Sequence, residues 1–447
     1  YILMSIKDLN FLYLSMTLII LGNGFFKPNI STLLGNVYND AAYKARKDAG
    51  YNIFYMGINI GAFICNFFGA ALYNMYGWYA AFWAAGVGMF IGVVVFIIGT
   101  KHYKHADQIK PVSATDMPLL KILGTILLPA VIFGLIPLTF ETPLVGSKST
   151  DAFLFGCIPV VFFYIHLYRK SPATEKPQIG AMLSIFAVVI AFWAIFKQNG
   201  STMNTWAMNY TDREVPVVVQ PLTTQLKLSE EITYSKDSVP FIDKQFRVIE
   251  KDKKVLAYPS YFNNQALKEL PKEGATIRVF NTNLFQSVNP FWVIALTPLV
   301  VAFFAFLNRK GKEPSTPTKI AFGLLISALS CLVMVGAVYA SNNGADKSSA
   351  WWFISSYAVI TIGELFLSPM GLSLVSKLSP ARLTSLMMGG WFLATSIGNK
   401  LSGVLSSMWD GYEQKANFFY VNFVLLGLAA LLLFGMLRKL NKVFSQY

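Results

Sequence analysis

An ionisable side chain in the middle of a long apolar run costs on the order of 2.5 to 3.5 kcal/mol to place in a bilayer, so each one is a candidate for chemistry. Four stand out: Lys27, Lys197, Glu364 and Lys400. Glu364 sits in Ile362-Gly-Glu-Leu-Phe-Leu-Ser-Pro-Met-Gly-Leu-Ser and is the one carboxylate deep inside any of the apolar runs. Desolvation favours its neutral form, while a cation or a substrate ammonium favours its charged form, so it can exchange a proton for a ligand. The competing reading is a permanent structural ion pair with one of the lysines. Lys27 lies in Leu21-Gly-Asn-Gly-Phe-Phe-Lys-Pro-Asn-Ile-Ser, where two glycines and Pro28 loosen helix packing around the ammonium. It has apolar or small neighbours for about two turns on each side, which argues against a lysine merely snorkelling to the interface. Lys197 and Lys400 fall nearer the outer ends of their runs, where gating and snorkelling are both open. Asn59 and Asn289 offer donors and acceptors to a zwitterion, or hydrogen bonds between helices. Trp193 and Trp391 lie within apolar runs, where they can wall a pocket or pack a bundle.

Positioning such residues requires membrane spans. The 447 residues are 54% hydrophobic and 13% charged, a balance that fits neither soluble globular nor disordered chains. Apolar runs of span length occupy 10–36, 51–73, 78–100, 119–140, 151–169, 179–207, 289–308, 319–340, 350–376, 385–408 and 417–437. Connections rich in Lys and Arg, such as Lys44/Arg46/Lys47, Lys101/Lys104/Lys110 and Arg438/Lys439/Lys442, alternate with poor ones around Gly77, Lys148, Lys347 and Lys415. That alternation places the basic connections and the C-terminus in the cytoplasm. Eleven spans then put Tyr1 outside, which points to an odd number of spans before it. The segment from about 210 to 287 breaks the pattern with dense charge, short alternations and Pro and Gly punctuation, and reads as a small β-rich external insert.

Several functions are set aside. The net charge is +14, but 208–286 holds 11 basic and 10 acidic residues, so the excess sits in short membrane loops. Such loops suit anionic lipid heads better than a nucleic-acid groove. Cys65, Cys157 and Cys331 show no paired spacing and read as small hydrophobes. His102, His105 and His166 lack a carboxylate at metalloprotease spacing, so no enzyme is expected.

The motifs resemble one family. Gly22-Asn-Gly-Phe-Phe-Lys-Pro-Asn-Ile-Ser, Asp48-Ala-Gly-Tyr-Asn-Ile-Phe-Tyr-Met-Gly-Ile-Asn-Ile-Gly-Ala-Phe, Phe192-Trp-Ala-Ile-Phe-Lys-Gln-Asn-Gly-Ser, Gln286-Ser-Val-Asn-Pro, the Gly363-Glu segment and Gly390-Trp-Phe-Leu-Ala-Thr-Ser-Ile-Gly-Asn are similar, in order, to signature segments of proton-dependent oligopeptide transporters of bacterial type. The resemblance implies an all-α membrane protein of the major facilitator superfamily, with two extra helices between its halves and the β-rich insert. It divides the chain into 1–100, the remaining half of an N-terminal six-helix bundle; 101–177, a linker with the two extra helices; 178–209, the first helix of the C-terminal bundle; 210–287, the insert; and 288–447, the rest of that bundle. Fourteen spans are implied, so the first three would precede Tyr1, together with the family's two-glutamate, one-arginine motif.

By the same resemblance, Lys27 engages the peptide carboxylate or a partner glutamate, and Glu364 engages the peptide amino group and the proton cycle. Asn59 and Asn289 hold the peptide backbone, and Ser368, Trp193 and Trp391 line the cavity. Lys197 departs from relatives that carry an acid at that place, which marks it as an altered gate. The function implied is proton-coupled symport of di- and tripeptides into the cell by a monomer in the inner membrane, with no cofactor beyond the proton gradient. Two alternatives remain open: the same fold with another small anionic or zwitterionic cargo, and a membrane-anchored sensor that works through the insert.

Overall fold

The computed structural model describes residues 1–40, 42–107, 118–242, 248–265 and 270–445. In chain order its helices are α1 (Leu9–Val37), α2 (Lys47–Tyr76), α3 (Trp78–Tyr103), α4 (Leu119–Leu135), α5 (Lys148–Lys170), α6 (Lys176–Phe196), α7 (Thr202–Asn209) and α8 (Gln220–Gln225). After the insert come α9 (Val288–Arg309), α10 (Thr316–Ala340), α11 (Ala350–Leu378), α12 (Thr384–Ser407) and α13 (Lys415–Phe444). All eleven expected spans are helices. Ten of them, among the described residues, are long and apolar enough to cross a membrane. The other, α12, is rich in Gly, Ser and Thr, small residues that let it pack closely against α6 and α1.

The expected span at 179–207 is interrupted. Helix α6 ends at Phe196, a 3-10 turn covers Lys197–Gly200, and Ser201 leaves helical geometry at φ −132° and ψ −97° before α7 resumes. Gln198-Asn-Gly-Ser concentrates the residue types that compete with a helix for backbone hydrogen bonds, and the glycine adds backbone freedom. The break sets Lys197 at a helix terminus.

Packing is densest where α6, α10, α11, α12 and α13 meet, around Ile179, Met182, Leu324, Leu367, Met387 and Leu426. By contrast α1, α2 and α3 bury few side chains and present exposed Leu, Ile, Val and Phe. Helices α10 and α11 touch backbone to backbone at Gly323 and Gly363. A Cβ on Gly363 would lie 2.6 Å from the Gly323 carbonyl oxygen and 2.1 Å from Ser327 Oγ. Gly363→Ala is therefore expected to destabilise the protein by about 1–3 kcal/mol, read as a lower melting temperature in detergent. An unchanged melting temperature would mean that the helices can separate without cost.

The β-rich expectation for 210–287 is met by two two-stranded antiparallel sheets. Strand β1 (Ser229–Thr233) pairs with β4 (Thr276–Phe280), and β2 (Asp237–Ile242) with β3 (Val248–Ala257). The first pair runs from Ser229 opposite Phe280 to Thr233 opposite Thr276. Tyr261, Phe262 and Val279 form its small core.

The insert is clasped to the α10–α11 connection. The Asp212 amide donates to the Ser348 carbonyl at 2.8 Å, and Asn264 Nδ2 donates to the Asn209 carbonyl at 2.9 Å. Lys347 Nζ donates to the Asn209 carbonyl at 3.1 Å and lies 4.0 Å from the Tyr261 ring centroid. Burial, helped by nearby Arg213 and opposed by Asp212, pulls the Lys347 ammonium down to about 7. An unfolded lysine holds its proton to roughly 10.4, so between those values the unfolded chain binds more protons and folding stability climbs with pH. Lys347→Gln should flatten that climb. Thermal unfolding of both forms from pH 7 to 10 checks it, and parallel curves would count against a buried, titrating ammonium.

Candidate functional site

Glu364 lies in the middle of α11 and is 1% exposed. Two helices from different parts of the chain hold its carboxylate. The Tyr55 hydroxyl of α2 donates to Oε1, and Asn289 Nδ2 of α9 donates to Oε2 at 2.8 Å. Asn289 also donates to Thr361 Oγ1 at 3.0 Å, which orients its amide. It stands in the first turn of α9, where the helix dipole contributes partial positive charge. Five residues past Glu364, Pro369 lacks the amide proton that would bond the Leu365 carbonyl, and this loosens the ladder beside the site.

The carboxylate opens on a cavity of about 760 Å³, open mouth included, walled by Tyr55, Asn59, Asn66, Lys197, Asn289 and Glu364 among others. Asn59 Nδ2 donates to the Tyr55 backbone carbonyl at 3.0 Å, one turn back on α2. Asn66 Nδ2 donates to Ser287 Oγ at 3.3 Å and ties α2 to the start of α9. The Lys197 ammonium lies 5.7 Å from the Trp193 ring and 5.6 Å from the Phe196 ring. It feels both the attraction of Glu364 and the repulsion of Lys27. A carboxylate and an ammonium in the wall of one cavity, with the amides of Asn59, Asn66 and Asn289 in the same wall, can bind a small zwitterion.

The remaining candidates are distributed differently. Lys27 is exposed on α1 and, among the described residues, has no hydrogen-bond or ion-pair partner; it is not part of the cavity wall. Ser368, one turn beyond Glu364, is buried beside the Tyr55 phenol. Trp193 and Trp391 are buried in the core behind the cavity, where Gly398 makes room for the Trp193 Cβ and Gly371 for the Trp391 ring. The Trp391 ring meets Phe186 edge-on at 6.0 Å. Lys400 is half-buried on α12. Cys157 and Cys331 are buried as expected of small hydrophobes, whereas Cys65 is exposed on the apolar face of α2.

At the end of the bundle that carries the basic connections, ion pairs join α2 to α10 and α11. Asp48, at the start of α2, accepts from Lys319 Nζ of α10 at 2.8 Å and from Lys377 Nζ of α11 at 2.5 Å. Thr316 Oγ1 and Ser373 Oγ also donate to it, and Lys319 makes a second pair with Glu313 at 2.5 Å. Lys319 is 1% exposed and Asp48 15%. Alongside, Gly35 of α1 packs so tightly that a Cβ there would lie 1.9 Å from Ser376 Oγ of α11. The cavity residues Asn66, Asn199, Gly200 and Gln286 instead lie toward the insert.

Sequence reasoning missed Tyr55, Asn66, Thr361 and the Asp48 cluster. Tyr55 and Asn66 were visible as polar groups on α2 at spacings of four and seven from Asn59, which brings them near one face. Among the described residues no group of three or more His, Cys, Asp or Glu is placed to hold a metal ion.

Comparison with known proteins agrees with this geometry. The family model PTR2, the POT family, matches residues 2–226 and 257–421. The chain is 26% identical to the uncharacterized transporter YclF of Bacillus subtilis (strain 168) over 441 residues, covering 97% of this chain and 74% of that one. It is 27% identical to dipeptide and tripeptide permease A of Escherichia coli (strain K12) over 407 residues, 90% of this chain and 66% of the permease. The chain thus spans about two thirds to three quarters of these relatives. Among solved structures, a POT family transporter in complex with a thioalcohol-conjugated peptide superposes with a TM-score of 0.66 at 22% identity, covering 98% of this chain and 79% of that one. A peptide transporter POT in complex with sulfate gives 0.63 at 24% identity, with 99% and 78% covered. These likenesses show that the chain shares the fold of those solved POT transporters.

Proposed function

Because the chain belongs to the POT family, PTR2, a family of multi-pass membrane transporters and not of enzymes, we propose that it is a proton-coupled symporter that imports di- and tripeptides by alternating access. The carrying observation is the buried Glu364, held by Tyr55 and Asn289, in one cavity with Lys197. A short peptide is a zwitterion with variable side chains, so its termini need opposite charges a fixed distance apart. In this reading the peptide ammonium meets Glu364, the carboxylate meets Lys197 with Lys27 nearby, and Asn59, Asn66 and Asn289 hold the backbone. Ser368 stands buried beside the Tyr55 phenol, and Trp193 and Trp391 stiffen the wall behind. Di- and tripeptide transport named for relatives such as the Escherichia coli permease supports the cargo.

The chain divides at 1–100, 101–177, 178–209, 210–287 and 288–447, and the blocks before and after the linker rock about the central site. The positive-inside distribution sets the Asp48 end and the C-terminus in the cytoplasm of an inner-membrane monomer, so the cavity faces outward. A proton arriving from outside neutralises Glu364, frees the peptide ammonium from its counter-charge, and travels in with the cargo. No cofactor beyond the gradient is invoked.

The discriminating experiment is uptake of labelled dialanine into proteoliposomes with and without an inward proton gradient. Accumulation that appears only with the gradient is expected; equal uptake in both conditions would sink proton coupling. Removing 211–284 while retaining uptake would further exclude the insert from the transport step. A second reading, a small anionic cargo, is favoured by Lys197, an ammonium where relatives carry an acid; inhibition of uptake by simple carboxylates, equal to that by peptides, would select it.

A further inference from the structure

Asn289 walls the Glu364 cavity, and it is held by a residue outside that wall. A carboxamide nitrogen carries two N–H bonds, and Asn289 spends both on α11: Nδ2 donates to Glu364 Oε2 at 2.8 Å and to Thr361 Oγ1 at 3.0 Å. Thr361 stands three residues before Glu364, about 4.5 Å along the helix axis, so the hydroxyl and the carboxylate share one face of α11. Its side chain is wholly buried and is absent from the cavity wall, so it meets no ligand there. Being β-branched, it is stiff about χ1.

Two bonds achieve what one does not. The χ2 torsion of asparagine is broad, so a single bond to Glu364 fixes the nitrogen and leaves the amide plane free to swing. The bond to Thr361 fixes the plane. An ionised carboxylate only accepts, which decides that the nitrogen faces α11 and the oxygen faces away. Among the described residues Asn289 Oδ1 accepts no hydrogen bond, and it is not one of the enclosed, unpartnered atoms. The cavity is the space it opens on.

We propose that Thr361 is a positioning residue for substrate recognition: by accepting the second N–H of Asn289 it keeps the amide oxygen turned to the cavity beside Glu364, and the two oxygens seat a primary ammonium by its N–H bonds as well as by its charge. The assignment rests on the peptide reading above and gives Asn289 the amino end of the peptide backbone. A primary ammonium has three donors, enough for a carboxylate oxygen and an amide oxygen together. A tertiary ammonium carries the same charge with a single donor.

Uptake of labelled dialanine into proteoliposomes, competed by unlabelled dialanine or by N,N-dimethyl-alanyl-alanine, compares the wild type with Thr361→Val and Thr361→Ser. Dialanine should compete better in the wild type. Valine keeps the volume and removes the acceptor, so that preference should shrink by about fivefold, the weight of one hydrogen bond. Serine keeps the hydroxyl and should restore it. A merely structural defect would weaken both competitors alike. A preference unchanged in Thr361→Val, or lost as fully in Thr361→Ser, overturns the positioning role while wild-type dialanine uptake leaves the peptide reading standing. A wild-type protein that takes up no dialanine defeats that reading and this assignment with it. Should Thr361→Val fail to fold, Thr361→Ala removes the same acceptor, and the same ratio decides.

Discussion

Glu364→Gln is expected to abolish proton-driven accumulation of peptide while leaving exchange of peptide for peptide. Glutamine matches the shape of the carboxyl, so the Tyr55 phenol can still donate to its carbonyl oxygen. It has no proton to take up or release, and its amide nitrogen cannot accept from Asn289, so one of the two hydrogen bonds becomes a donor facing a donor. A pH difference of one unit is worth about 1.4 kcal/mol per proton, which is roughly a tenfold accumulation of a neutral cargo. The variant should lose that factor and show no accumulation above the external concentration. Counterflow with preloaded vesicles separates the two activities. Gradient-driven accumulation at the wild-type level would remove Glu364 from the proton cycle.

Asp48→Asn should act on the conformational balance. Its carboxylate receives two lysines from α10 and α11, one of them almost wholly out of solvent. Removing one partner of a buried pair typically costs about 3–5 kcal/mol, because the other charge is left uncompensated. Lys319 keeps Glu313 as a second partner, so the lower part of that range is expected. The loss falls only on the arrangement in which α2 meets α10 and α11 at this end. Even about 2 kcal/mol changes the ratio of two states by a factor of roughly 30. Spin labels at Lys44 and Lys312, on the basic connections, should then report a longer distance in the variant than in the wild type. Superimposable distance distributions would show that the cluster holds nothing shut.

Much of this was legible beforehand, and the division follows physical range. The eleven spans were readable because bilayer thickness writes itself as local apolar length, and Glu364 because an acid inside such a run stands alone. Asn59, Asn289 and Lys197 were recognisable by polarity in apolar surroundings, and the structure places all three on one cavity wall. The Asp48 cluster was not legible. Its partners stand 271 and 329 residues away, and each side looked like a routine charge near a span end. Tyr55 was overlooked for a related reason: a tyrosine in a span reads as packing until the residue 309 positions onward is seen beside it. The two tryptophans could be read either way, as the wall of a pocket or as packing within the bundle. Both are buried in the core, where Gly371 leaves room for the Trp391 ring and Gly398 for the Trp193 Cβ. The break after Phe196 was hidden because hydropathy continues across it, although Gln198-Asn-Gly-Ser carried the signal.

Of the two hydrogen bonds on the Glu364 carboxylate, the one from Tyr55 comes from α2 and the other from α9, beyond the insert. A bond that bridges elements which must part during a transport cycle survives only while they touch. In the proposed cycle the hydrogen bond from the phenol is one that the two helices lose when they part, and by thermodynamic reciprocity whatever occupies the acid biases the same junction. Ion uptake and the rocking step would then share a single atom pair, with no need for a relay running the length of the membrane.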